Sequence, residues 1–232
     1  MHSNLRIGID GCRSGWLAAD IHGGVLRLFP SLESLWRAWG CCIDSVFADI
    51  PMGLPETEYR RCDIQGRSLL GKRRNTLFLV PCRAAVYAPD FAAANAENRR
   101  FMGRGLSIQV WNLCPKIREA DRFLQRYECA DVFLESHPEL CFARYAGQPL
   151  DSKKKTARGF EERLEILEKA VPGWHKKLVR SALPFPRAQV QPDDILDALV
   201  LSLAASGPAV PILETTPVDA AGLPMQLWLP PG

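Results

Sequence analysis

The chain has no CxxC pair and no cysteine–histidine cluster at zinc spacing, although it carries eight cysteines in 232 residues. That argues against a zinc module and fits reduced thiols. Every apolar run falls short of the roughly 18 residues that a membrane-spanning helix needs. The opening "MHSNLRIGID" passes into a strand pattern so early that no room is left for a signal peptide. A cytoplasmic protein without a membrane partner is expected. Neither charge dominates: 29 Lys and Arg against 26 Asp and Glu give a formal charge of +3. Such a balance permits an anionic partner but falls well below the density of a nucleic-acid coating protein. Internal repeats, low-complexity tracts and a clean linker are missing too. The chain therefore reads as one domain over residues 1–232, with 47% hydrophobic residues to fill its core.

The first fifty residues carry four strand patterns and a helix. "LRIGID", "WLAADI" and "VLRLF" come first, then "SLESLWRAW" behind a serine N-cap, then "SVFADI". Only His22, Gly23 and Gly24 separate the second and third strands, which predicts a tight hairpin. An antiparallel meander followed by a helix and an apolar strand predicts an α/β fold, a mixed sheet flanked by helices. From about 51 to 128 the pattern loosens into a long insertion rich in Pro, Gly and Arg, with helices expected over 91–101 and over 115–127, where Pro115 suits a first turn. A strand is expected at 131–135, helices near 159–170, 173–181 and 193–205, and a Pro-rich tail from 207 to 232 over the surface, with "MQLWLP" as an edge strand. Trp16, Trp36, Trp39 and Trp111 fall in patterned elements and read as packing residues rather than base-stacking platforms.

Acidic residues recur where such a fold gathers side chains. Asp10 ends the first strand, Asp49 ends the fourth in "FADIP", Glu135 ends the later strand in "VFLESHPE", and Asp194 and Asp197 lie three apart at the start of the last long helix. Singly, each has a plain reading: Asp10 before glycine as a turn residue, Asp49 and Glu135 as a cap and an ion-pair partner. Asp193 is assigned to capping. Asp197 resists dismissal, because aspartate is a poor residue for the middle of an apolar helix. Carboxylates meeting in one cleft repel one another and call for divalent cations, and oxygen-only ligands favour Mg2+ or Mn2+. Two-metal phosphoryl transfer on a phosphodiester uses such a cluster best. Arg74 beside Arg73, Arg83 and Lys116 are candidates for phosphate contacts, and His137 in "ESHPE" for a proton relay or phosphate contact. The lysines of "SKKKT" (152–156) read as a solvated basic face.

The combination "GIDGCRSGW", "FADIPMGLP", "RRCD", "LGKRRNTLFLVPCR", "GLSIQVW", "PKIREAD", "ESHPELCF" and "DDILDALVLSLAA" resembles, over nearly the whole chain, the DUF429 family of predicted nucleases with an RNase H-like fold. The DDxLDA ending is similar to the last helix of the RuvC Holliday-junction resolvases. There, two aspartates three apart join a strand-one aspartate and an acid from a later strand. Carried over, the resemblance implies a metal site of Asp10, of Asp49 or Glu135, and of Asp194 and Asp197, with a nucleic acid or a nucleotide as substrate. Fold alone does not fix function. "GIDGCRSGW" also resembles the phosphate-binding hairpin of the actin, sugar-kinase and Hsp70 group, which implies ATP or nucleotide binding, but those proteins duplicate the domain and this chain is too short for two halves. The third reading is a non-catalytic metal- or nucleic-acid-binding protein that retains the acids.

Overall fold

The computed structural model describes residues 4–178, 185–186 and 188–231. In chain order the elements are β1 (Leu5–Cys12), β2 (Gly15–Asp20), β3 (Val25–Phe29), α1 (Leu32–Trp39), β4 (Ile43–Ala48), α2 (Arg61–Leu69), α3 (Arg83–Val86), α4 (Phe91–Met102), α5 (Ile108–Tyr127), β5 (Phe133–Glu135), α6 (Pro138–Ala146), α7 (Ala157–Ala170), α8 (Trp174–Leu178), α9 (Pro192–Ala205), β6 (Val210–Pro211) and β7 (Trp228–Leu229). The fold is mixed α/β. They fall into two compact units: a sheet unit running to Asp49, then Asp131–Val210 and from Trp228 on, and a helical unit of Ile50–Ala130 with Pro211–Leu227. The insertion expected over 51–128 thus coincides closely with the helical unit, and much of the tail expected on the surface belongs to that unit.

In the sheet unit five strands lie in the order β3-β2-β1-β4-β5. β1, β2 and β3 form the antiparallel meander, while β4 runs parallel to β1 and β5 parallel to β4. The hairpin between β2 and β3 closes as its glycines require: Gly24 takes a positive φ of 68°, and Asp20 Oδ1 accepts from the His22 and Gly23 amides at 3.1 and 2.9 Å. Ser31 caps α1, its side chain accepting from the Ser34 amide.

The core of this unit is organised by α9, whose residues from Leu196 to Ala205 are all buried. A helix apolar on every side belongs inside the molecule, and α9 lies directly on β1. A Cβ at Gly8 would fall far inside contact distance of the Ala198 carbonyl oxygen and the Ser202 amide nitrogen, so only glycine lets the helix approach so closely. Ser202 fixes the crossing point: its Oγ accepts from the Ile21 amide at 2.9 Å and donates to the Arg6 carbonyl at 3.0 Å.

The structure corrects several expectations. β1 runs past Asp10, because Gly11 and Cys12 still pair with Trp16 and Gly15. Pro115 lies inside α5, which starts seven positions earlier, at Ile108 behind the Ser107 cap; proline has no N–H to donate to the Trp111 carbonyl. The helix expected over 173–181 is seen as Trp174–Leu178, and residues 179–181 lie outside the described residues. β7 does not extend the main sheet but pairs with β6. Among the described residues none of the eight cysteines is joined in a disulfide. Among the described residues no helix is long and apolar enough to cross a membrane.

Candidate active site

The parallel pairing of β1, β4 and β5 ends in one row, at Ile9, Ala48 and Glu135, and ligand sites of open α/β sheets lie beyond such ends. Asp10 and Asp49 sit there in one row, the Asp49 amide donating to the Ile9 carbonyl at 2.9 Å. Side chains alternate along a strand and agree across a row. Gly8 and Asp10 therefore share the face that α9 covers, and Asp49 shares it too. One turn toward the start of α9 from the Gly8 contact, Asp197 comes to the same place. Asp10 and Asp197 are 8% and 3% exposed.

Glu135 is not part of this cluster. It pairs with Ala48, which pairs with Ile9, so its side chain lies on the opposite face, on the side where Trp36 of α1 packs against Phe133. A displacement of one residue along a strand changes the face, and the position at a strand end could not by itself reveal which face Glu135 takes. His137, two residues further, does reach the site, close enough to Asp49 to oppose the rise of its carboxyl.

Capping is also reassigned. Asp194 Oδ2 accepts from the Gln191 amide at 2.8 Å, closing a capping box on α9, whereas Asp193, expected to be the cap, points to Lys154 at 3.5 Å. Asp194 is half-buried at the rim.

A residue that the sequence reading left on a solvated face completes the cluster. Lys154 Nζ donates to Asp197 Oδ2 at 2.5 Å. The segment that carries it is pinned from behind: Thr156 caps α7 and its hydroxyl donates to the Lys153 carbonyl at 2.8 Å. Fully buried Arg163 of α7 donates to the Gly159 carbonyl and grips both oxygens of buried Glu139 at 2.6 and 2.8 Å. Glu139 lies in the first turn of α6, where the helix dipole favours a carboxylate. Neither Lys154 nor the Glu139–Arg163 pair announces itself in sequence, because each depends on residues far away along the chain.

The charges are under strain. Burial, then the carboxylates of Asp197 and Asp49, hold the Asp10 carboxyl well above the ordinary range, against the pull of Lys154. Burial raises Asp49 as well, with His137 and Lys154 opposing and Glu139 adding to the rise. Burial pushes Asp197 up to about 7 despite its bond to Lys154, with Asp49 and Glu139 contributing. The Lys154 ammonium is itself held above its usual value, since Asp197, Asp10 and Asp193 outweigh its burial.

Among the described residues no three His, Cys, Asp or Glu side chains already stand in the geometry of a metal cage. The donor set nonetheless suits a hard divalent ion: it is all oxygen, and Asp197 Oδ1 is buried with no hydrogen-bond partner. Beside the cluster a cavity of about 410 Å3 opens, lined by Lys154, Lys155, Thr156, Phe160, Gln191 and Asp193.

The three expected phosphate-binding cations belong to the helical unit. Arg83 spends its fork there, donating to Asp121 at 2.9 and 3.1 Å and to Asp219 at 2.5 Å, both buried, so it serves as a clamp inside that unit instead of as an open anion site. Arg74 is exposed in a short 3-10 helix and Lys116 is half-buried on α5. Trp16 is fully buried, in agreement with a packing role.

A family model described as "Protein of unknown function (DUF429)" matches residues 8–218. No curated protein and no solved structure matches the chain.

Proposed function

We propose that this chain, which belongs to the DUF429 family, is a divalent-metal-dependent phosphodiesterase acting on nucleic acid or a nucleotide, built on an RNase H-like sheet. The observation that carries the reading is the meeting of buried Asp10 and Asp197 with half-buried Asp49 where the parallel pairing of β1 and β4 ends, with one oxygen of Asp197 unpartnered. Asp10, Asp49 and Asp197 are the residues that would hold Mg2+ or Mn2+, with Asp194 at the rim. Bound there, such an ion supplies a Lewis acid that activates water and steadies the leaving oxygen.

The protein's own groups do the rest. The rigid seat of α9 on Gly8 fixes Asp197 against Asp10, so no reorganisation is needed when charge develops. His137, which lies close to Asp49, is the group suited to pass a proton to or from solvent. Lys155 on the wall of the adjoining cavity offers an ammonium to a phosphate oxygen.

The test is hydrolysis of single-stranded, duplex, hybrid and branched nucleic acids with Mg2+ or Mn2+, beside Asp10→Asn. Cleavage by the wild type, with Asp10→Asn slower by at least about 100-fold, is the expected result. Equal activity in both proteins would remove Asp10 from the chemistry. The Lys154 ammonium seated in the cluster favours one rival, a non-catalytic protein whose acids form a buried ion pair; absence of turnover on the whole panel would support it.

A further inference from the structure

We propose that Lys154 is a permanent cation of the site, standing where a second metal ion would otherwise bind, so that the site takes one divalent ion per chain. The inference rests on the metal-dependent reading above and revises the pair of ions expected from sequence.

The two oxygens of Asp197 stand in different environments. A carboxylate shared between two metal ions offers one oxygen to each. Here Oδ2 already accepts from Lys154 Nζ at 2.5 Å, while Oδ1 is buried and has no hydrogen-bond partner. One oxygen is thus committed to an ammonium and one remains for an ion. An unsatisfied carboxylate oxygen in a buried site is costly, which gives it a strong tendency to take up a cation.

Position supports permanence. Lys154 is set by the Thr156 cap and by the Arg163–Glu139 pair behind α7, and Asp193 stands 3.5 Å from Nζ on the other side. A lysine on a free coil would pay rotamer entropy to hold this contact; here the backbone before α7 is already anchored, so only the side chain must be ordered. Lys154 is therefore a positioning residue that holds Asp197 and replaces part of the metal's charge.

Titration with Mn2+, followed by the electron paramagnetic resonance signal of the free ion, separates the possibilities. The wild type is expected to bind one ion per chain, Lys154→Arg also one, and Lys154→Met two, because Oδ2 is released. Asp197→Asn should lose at least tenfold in affinity. Two ions in the wild type would overturn the role of Lys154 and leave the metal reading standing. One ion in both the wild type and a folded Lys154→Met, judged by circular dichroism, would also overturn it. No binding to any of these proteins would overturn the metal reading and the inference together.

Discussion

Gly8→Ala is expected to lower stability by more than about 4 kcal/mol, in the range where single substitutions become exceptional, and Gly8→Val to leave no soluble folded protein. The added Cβ meets backbone, the Ala198 carbonyl oxygen and the Ser202 amide nitrogen, and backbone in the middle of a buried helix cannot step aside as a flexible side chain does. To relieve the overlap α9 must lift from β1. That breaks the Ser202 bonds to Ile21 and Arg6, opens the core around Leu199 and Val200, and carries Asp197 away from Asp10. Gly207→Ala is the matched control, since its Cβ would meet only Pro231 at an ordinary 3.5 Å; it should stay within about 0.5 kcal/mol of wild type. Thermal melts of the two alanine variants measure the difference. Equal melting temperatures would mean that α9 does not lie on β1 as described.

Asp10→Asn is expected to stabilise the metal-free protein at pH 8 by about 1–2 kcal/mol, a rise in Tm of about 2–8 °C for a chain of this size. The reason is the company Asp10 keeps: burial and the charges of Asp197 and Asp49 make its ionised form costly. The sign of the pH dependence follows. Asp10, Asp49 and Asp197 are all raised above the ordinary carboxylate value, so between that value and the raised ones the folded state binds more protons than the unfolded state. Their contribution to stability is present in acid and is lost as pH rises through the folded values, for Asp197 from near 3.8 to about 7. The metal-free wild type should therefore lose stability as pH rises through this window, and Asp10→Asn should lose less. Added Mn2+ reverses the trend, because it favours the ionised carboxylates: its stabilising effect should be small at pH 5 and large at pH 8. A wild-type stability that rises with pH across this range without metal would contradict the account.

What the sequence made legible was whatever local chemistry determines. Ser31, the His22–Gly24 hairpin and the apolar run of α9 each carry their signal within a few residues, and the structure has them in the expected places. Asp10, Asp49 and Asp197 were legible for a related reason: a carboxylate at a strand end, or inside an apolar helix, conflicts with its surroundings, and such conflicts gather at functional sites. Pairings across long separations were not legible. Glu135 carries the same strand-end signal as Asp49, yet register turns it to the other face. Lys154 and Asp197 are 43 positions apart, Glu139 and Arg163 are 24 apart, and nothing in "SKKKT" distinguishes the middle lysine from its neighbours. Arg83 looked like an anion contact because Asp219, one of the carboxylates it holds, lies 136 positions away. Asp194 took the capping task expected of Asp193 because either is chemically able to cap, and only the geometry of the first turn decides which one does.

The most direct test of the central claim is a crystal structure of the protein soaked in Mn2+, with data collected at the manganese absorption edge. The account predicts an anomalous peak among Asp10, Asp49 and Asp197, within coordination distance of Asp197 Oδ1, with Lys154 still on Oδ2. A map without a peak there at saturating Mn2+, or with the ion bound elsewhere, would contradict it.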